Sequence, residues 1–286
     1  MASILDRYGI KEVADVTFYE IDKTSGEAGA PVLYLDTLKV STIEQTAETT
    51  DARGGKGNPK LVTWDYGKDI TVTLEDALFS AKSLSIMFGN GKVAYTEASD
   101  GATVTRTVMA KLDASGALPE YFTADVYDDT TKGAVRKRVY FTTPASGTVP
   151  SNAVLLSESG LTVTKVTDEE GNATDVTGNA VSAPSNAEAY DRFFITYTVK
   201  VNKKEVVISA DTFPGTYYVT GDTYARSDVD GSDQFFQFII PKAKVTSENT
   251  ITLEAEGDPS VFNMNLSVLR PEDGDMMKLV QYDLAD

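Results

Sequence analysis

The sequence predicts an α+β fold, mainly β, in which a compact unit carries an inserted all-β lobe. Three observations lead there. Short apolar/polar alternations recur between turn residues along most of the chain, the period-two mark of half-buried strands. Only residues 73–89 break this period with a helical one. From about Thr96 to Ala210 the texture shifts to dense Ser, Thr, Gly, Asn and Asp, with polar stretches such as Asp168-Glu-Glu-Gly-Asn172 and Ser182-Ala-Pro-Ser-Asn186. The compact unit is therefore assigned to residues 1–95 and 211–286, and the inserted β-rich lobe to 96–210.

Taken in chain order, strands are expected at Val13–Ile21, Val32–Val40, Leu61–Tyr66 and Ile70–Leu74. The helix follows: Leu74, Ala77, Leu78, Ala81, Leu84 and Phe88 recur on one face. Thr73 is its expected cap, Glu75 and Asp76 sit in the first turn where the helix dipole favours them, and Gly89 ahead of Asn90-Gly91 ends it. Within the lobe, Val104–Leu112, Arg136–Thr142 and Phe193–Val201 read as strands, and Lys204–Ala210 closes the series. Thr216–Thr220, Phe236–Ile240, Ile251–Ala255, Phe262–Val268 and Met276–Tyr282 complete the second half of the compact unit.

Composition removes much catalytic chemistry. The chain has 286 residues and neither His nor Cys. Ser-His-Asp and Cys-His nucleophile pairs, thiolates, the usual nitrogen and sulfur zinc sites and disulfides are all excluded. The 26 Lys and Arg against 43 Asp and Glu give a net charge of −17, which argues against tight binding along a phosphate backbone. Met1-Ala-Ser-Ile-Leu-Asp-Arg7 predicts no secretory signal, and the uncharged stretch Val139–Ser157 carries two prolines and many hydroxyls, unlike a membrane span. No cofactor or metal site is expected, and no enzyme.

Motifs with a possible chemistry each have a plainer reading. Arg53-Gly-Gly-Lys-Gly-Asn-Pro-Lys60 is glycine-rich and basic, but a phosphate-binding loop needs Gly-Lys-Ser/Thr leading into a helix, and here Pro59 and a strand follow. It reads as a loop joining two strands, or as an arm whose basic groups seek a neighbour's carboxylates. Asp228-Val-Asp-Gly-Ser-Asp233 and Asp168–Asn172 lack the spacing and distal Glu of a calcium loop and read as acidic turns. The acidic residues alone are no evidence for a carboxylate glycosidase. Trp64, the only tryptophan, reads as a core or interface anchor. Tyr217 and Tyr218 fall on opposite faces of one strand, at least one of them in the core.

The polar faces of the strands carry a further pattern. Thr71 and Thr73, then Thr250, Thr252, Glu254 and Glu256, then Asn263, Asn265 and Ser267, alternate with apolar neighbours. Either one side of the sheet faces water, or the sheet continues between subunits into a closed ring whose polar faces line a channel. An acidic, hydroxyl-rich lining lets a polyanion pass without sticking.

The stretch Thr46–Lys68, the helix with Ala77-Leu-Phe-Ser80, Gly257-Asp-Pro-Ser-Val-Phe-Asn-Met-Asn265 and Met276-Met-Lys-Leu-Val-Gln-Tyr282 resemble bacteriophage tail tube (major tail) proteins. The resemblance covers about half the chain, mainly its compact unit. It implies a β-sandwich or partial barrel with one flanking helix, forming hexameric rings that stack into a hollow tube for genome passage. It assigns ring stacking to the loop bearing Asp51, Arg53, Lys56, Asn58 and Lys60, and to Ala2–Ile10, and channel lining to the polar faces named above. The implied partners are further copies of the chain, other tail proteins at the tube ends and phage DNA that passes without specific binding, with a tail sheath left open. The implied location is the virion tail, assembled in the host cytoplasm. The 96–210 lobe departs from a minimal tube subunit and is expected on the outside. The alternative is a β-sandwich adhesion or carbohydrate-binding module on a virion or cell surface.

Overall fold

The computed structural model describes residues 7–10, 12–89, 92–128, 133–176, 181–183, 187–247, 251 and 261–282. Eighteen strands and one α-helix follow in the order β1 (Tyr8–Ile10), β2 (Asp15–Ile21), β3 (Ala28–Leu35), β4 (Leu38–Arg53), β5 (Lys60–Asp76), α1 (Ala81–Phe88), β6 (Ala94–Thr96), β7 (Thr103–Lys111), β8 (Tyr121–Asp128), β9 (Gly133–Tyr140), β10 (Ala153–Leu155), β11 (Leu161–Asp168), β12 (Ala173–Asp175), β13 (Arg192–Lys200), β14 (Lys203–Glu205), β15 (Thr216–Ser227), β16 (Asp233–Val245), β17 (Phe262–Val268) and β18 (Lys278–Tyr282). The fold is mainly β. The chain divides into two compact units, Met1–Ala94 with Glu205–Asp286, and Tyr95–Lys204.

The first unit is built on one nine-stranded sheet in the order β3-β2-β15-β16-β17-β5-β4. Its long central strands fork: β15 pairs with β2 at residues 218–222 and with β1 at 225–227, while β16 pairs with β18 at 235–239 and with β17 at 243–245. A strand that changes neighbours along its length bends the sheet around a single core. Val16, Phe18, Val72, Leu74, Val219, Ile240, Leu266 and the helix residues Ile86 and Met87 fill that core, each at most 1% exposed. The two sheet edges, β3 and β4, do not meet among the described residues, so the barrel is not closed.

Gly221 occupies the one central position where a side chain has no room. It pairs with Phe238, whose ring lies across it, and a Cβ there would come within 2.1 Å of the Phe238 Cζ atom.

The second unit packs a three-stranded sheet, β10-β9-β8, with a four-stranded one, β12-β11-β13-β7. Alternate residues of these strands meet in a separate core that includes Phe122, Val126, Val139, Val163, Ile195 and Tyr197. Two independent cores explain why the chain divides as it does: each unit buries its own apolar face.

The helix is shorter than the sequence predicts. Leu74, Glu75 and Asp76, expected in its first turns behind a Thr73 cap, belong to β5 and pair with Met264, Asn263 and Phe262 of β17. The period-two pattern from Ile70 continues through Asp76 and wins because both edges of β5 find partner strands. The buried Asp76 carboxylate then ends the strand by accepting hydrogen bonds from the Thr37 hydroxyl and the Leu78 N–H. Ser80 is the true cap: its Oγ accepts from the Ser83 N–H at 3.0 Å, and Ser83 Oγ accepts from the Ser80 N–H at 2.8 Å. Gly89 ends the helix as expected, donating to the Ser85 carbonyl. Ser80→Ala is expected to cost about 1 kcal/mol and to lower the melting temperature by about 2–4 °C, read by differential scanning calorimetry.

Other boundaries also differ. The expected strand Val32–Val40 is broken at Asp36-Thr37, where the chain turns from β3 into β4. Lys204–Ala210 is strand only to Glu205, because Val206–Ser209 finds no strand partner. Of the expected Ile251–Ala255, all but Ile251 lies outside the described residues. Strands β1, β6, β8, β10, β11 and β12, and β4 beyond Val40, are additions to the sequence reading.

Candidate assembly surfaces

The longest strands of the chain make its most exposed feature. Beyond Gln45 and Ile70, β4 and β5 pair only with each other among the described residues, and every residue from Leu61 to Asp69 is exposed. At ~3.3 Å per residue this two-stranded arm reaches about 30 Å from the sheet. Antiparallel register places Ala52 beside Val62, Thr50 beside Trp64 and Glu48 beside Tyr66 on one face. That face therefore displays Val62, Trp64 and Tyr66, at 48%, 54% and 52% exposure. Trp64 accordingly lies outside the core of this chain. Nothing among the described residues covers this stripe, and a bare two-stranded ribbon is marginal in water.

The other face is mainly polar, with Leu61, 63% exposed, beside the tip. Asp51 accepts from the Thr63 hydroxyl at 2.9 Å and pairs with Lys60 at 2.9 Å and Arg53 at 3.3 Å. Two of the three basic groups expected to seek a neighbour's carboxylates are thus engaged inside the hairpin, while Lys56 stands exposed at the turn. The turn needs left-handed backbone at Gly55, Gly57 and Asn58, with φ of 83°, 83° and 50°, which glycine and asparagine tolerate. Lys60, followed by Thr63 and Arg53, holds the Asp51 carboxyl below the usual carboxylate range. A lowered carboxylate pKa stabilises the tip above the unfolded value and ceases to do so as pH falls through the folded one. The protection of amides across residues 51–63, measured against the intrinsic exchange rate at each pH, is therefore expected to fall on acidification below the ordinary carboxylate range, and Asp51→Asn to remove that pH dependence.

The polar strand faces gather where β17, β5 and β4 lie side by side. Ser267 pairs with Thr71 and Asn265 with Thr73, and the rows continue to Glu44 and Thr42. Asn263 pairs with Glu75. Five of the nine channel candidates, Thr71, Thr73, Asn263, Asn265 and Ser267, thus share one face, joined by Glu44, which the sequence reading passed over, and by Glu75, which it places in the first turn of the helix. Thr250, Thr252, Glu254 and Glu256 lie outside the described residues. Asn263 Oδ1 is buried and accepts no hydrogen bond among the described residues.

The acidic motifs are turns. Asp230 accepts from the Ser232 N–H and hydroxyl between β15 and β16, and Arg226 forks onto Asp233 with two contacts of 2.6 Å. Asp168 accepts from the Asn172 backbone and side chain between β11 and β12. Among the described residues no cluster of three or more Asp or Glu is arranged to hold a metal, and no helix is long and apolar enough to cross a membrane. Tyr217 is buried against Phe18, with ring centres 5.9 Å apart. An aromatic row across β15, β16 and β18 escaped the sequence reading: Tyr224, Phe235 and Tyr282 follow one another at 5.4 Å, and both tyrosines are exposed. Tyr282 is distant in the chain, and only the strand register aligns it with Tyr224 and Phe235.

The model of the YomU/Tube protein family matches residues 8–150 and 129–281 of the chain. No curated protein matches it.

Proposed function

The chain belongs to the YomU/Tube protein family, which fits a structural protein of a phage tail tube, and we propose that it is the repeating subunit of that tube. Six copies form a ring, rings stack, and the bore conducts DNA during genome delivery. The observation that carries this reading is the β4–β5 arm, a two-stranded ribbon with an aromatic stripe that is exposed among the described residues. The arm seats on the next ring, with Asp51, Arg53, Lys56, Asn58 and Lys60 at its tip, and the N-terminal residues 2–10 support the same contact.

The polar face of β5 and β17, with Thr71, Thr73, Asn263, Asn265 and Ser267, turns to the bore, together with Thr250, Thr252, Glu254 and Glu256. Six chains of −17 give a ring of about −100, a charge that keeps a polyanion from adhering and that interface burial must offset. Residues 96–210 lie on the outside, where added mass leaves the channel open. Other tail proteins meet the tube at its ends, in a virion assembled in the host cytoplasm. The work is assembly and passage, with no catalytic step.

Negative-stain electron microscopy of the purified chain across a concentration series, with native mass spectrometry in parallel, tests the reading. Six-fold rings or tubes are expected. Closed particles of another symmetry would overturn the hexamer.

A further inference from the structure

The second unit holds a cleft of about 670 Å³, within the range of small-ligand sites. Its apolar lining includes Val104 and Val199, cross-strand neighbours on one face of the β7–β13 pair, and Tyr127 of β8, 63% exposed. Arg106, Asp125 and Lys200 also line it, and Arg136, outside the lining, joins them through Asp125. Arg106 contacts Asp125 at 2.9 Å, and Arg136 approaches the other oxygen of the same carboxylate at 3.3 Å. One carboxylate facing two guanidinium groups leaves a local surplus of positive charge in a chain whose net charge is −17. Asn202 stands at the rim, its side-chain oxygen already accepting from the Ala98 N–H at 2.8 Å.

We propose that this cleft binds an acidic sugar, a pyranose bearing a carboxylate. The tyrosine face and the valines take the C–H face of the ring. Arg106, whose planar guanidinium carries five donors, takes the carboxylate in the paired geometry that Lys cannot reproduce. Both cations remain accessible, at 46% exposure for Arg106 and 72% for Arg136, so an incoming anion need not displace a buried pair. An apolar wall with a few convergent polar groups is what a sugar-sized ligand requires, whereas a nucleic-acid strand needs a continuous cationic track. The site lies within residues 98–202 and is independent of the tube reading.

The test is isothermal titration of the full-length chain with an oligogalacturonate, and with a neutral galactose oligomer of the same length. The acidic oligomer is expected to bind saturably, at least tenfold tighter than the neutral one, and to weaken as salt rises. Tyr127→Ala, at an exposed position that folding tolerates, is expected to weaken binding at least tenfold, and Arg106→Gln to abolish the preference for the acidic oligomer. Absence of saturable binding, equal affinity for the two oligomers, or an unchanged affinity in Tyr127→Ala would each overturn the proposal. Tube formation by the same preparation, read by electron microscopy, keeps this result separate from the assembly question.

Discussion

Replacing Trp64 and Tyr66 together by glutamate is expected to abolish tube growth while leaving the subunit folded. Both side chains are more than half exposed and lie on a ribbon whose strands pair only with each other among the described residues, so the substitutions remove no core contact, and their effect on the melting temperature is expected to be small. In an assembled tube the same two rings become the anchors of a contact. Aromatic anchors buried at the centre of an interface contribute about 2 kcal/mol or more each, and a carboxylate placed there adds desolvation cost. Since about 1.4 kcal/mol corresponds to a tenfold change, the concentration needed for assembly is expected to rise at least about 100-fold. Thr49→Glu, on the opposite face of the arm beside Asp65, serves as the control and is expected to assemble nearly as the parent does. Sedimentation velocity and electron microscopy read both outcomes. Normal assembly of the double variant would remove the arm's aromatic face from the contact.

The second large effect is expected inside the fold. Gly221→Ala places a methyl group 2.1 Å from Phe238 Cζ and 2.2 Å from Cε1. Phe238 is 3% exposed and part of the core cluster, so its ring has nowhere to go without disturbing the strands around it. Overpacking of this kind costs about 3 kcal/mol, equivalent to a drop of about 6–12 °C for a unit of this size. The cost belongs to the pair. In Gly221→Ala/Phe238→Leu the smaller side chain leaves room for the methyl group, and the double variant is expected to be less destabilised than the sum of its two single variants. Additive losses, or a single-variant cost below 1 kcal/mol, would show that the ring relaxes elsewhere.

These two sites mark what the sequence makes legible and what it does not. The alternations at Ile70–Leu74, Phe236–Ile240 and Phe262–Val268 reach the core as read, because one face of each strand is buried and a slip by one residue would expose it. Residues 74–76 are different: Leu74 ends the period-two run Ile70, Val72, Leu74 and also begins a helical spacing with Ala77 and Leu78. Only the pairing with β17 and β4, neither near in sequence, decides between them. Strand β4 escapes notice from Ser41 to Asp51 because a ribbon exposed on both faces has no buried side to impose a pattern. That polar partner is itself the signal that Leu61–Tyr66, which reads like a buried strand, stands in solvent. The joining of Ser267 to Thr71 and of Asn265 to Thr73 follows from the register alone, and Glu75 shares their face by alternation along β5, whereas the addition of Glu44 depends on a bulge in β4 that local sequence does not announce.

A three-dimensional reconstruction of assembled particles by cryo-electron microscopy, at a resolution that separates strands, tests the central claim most directly. The account predicts six-fold rings in which residues 45–69 of one subunit rest on the adjoining ring, with Trp64 and Tyr66 buried there and Thr71, Thr73, Asn265 and Ser267 facing the bore. Rings stacked without the arm, or a bore lined by residues 96–210, would contradict it.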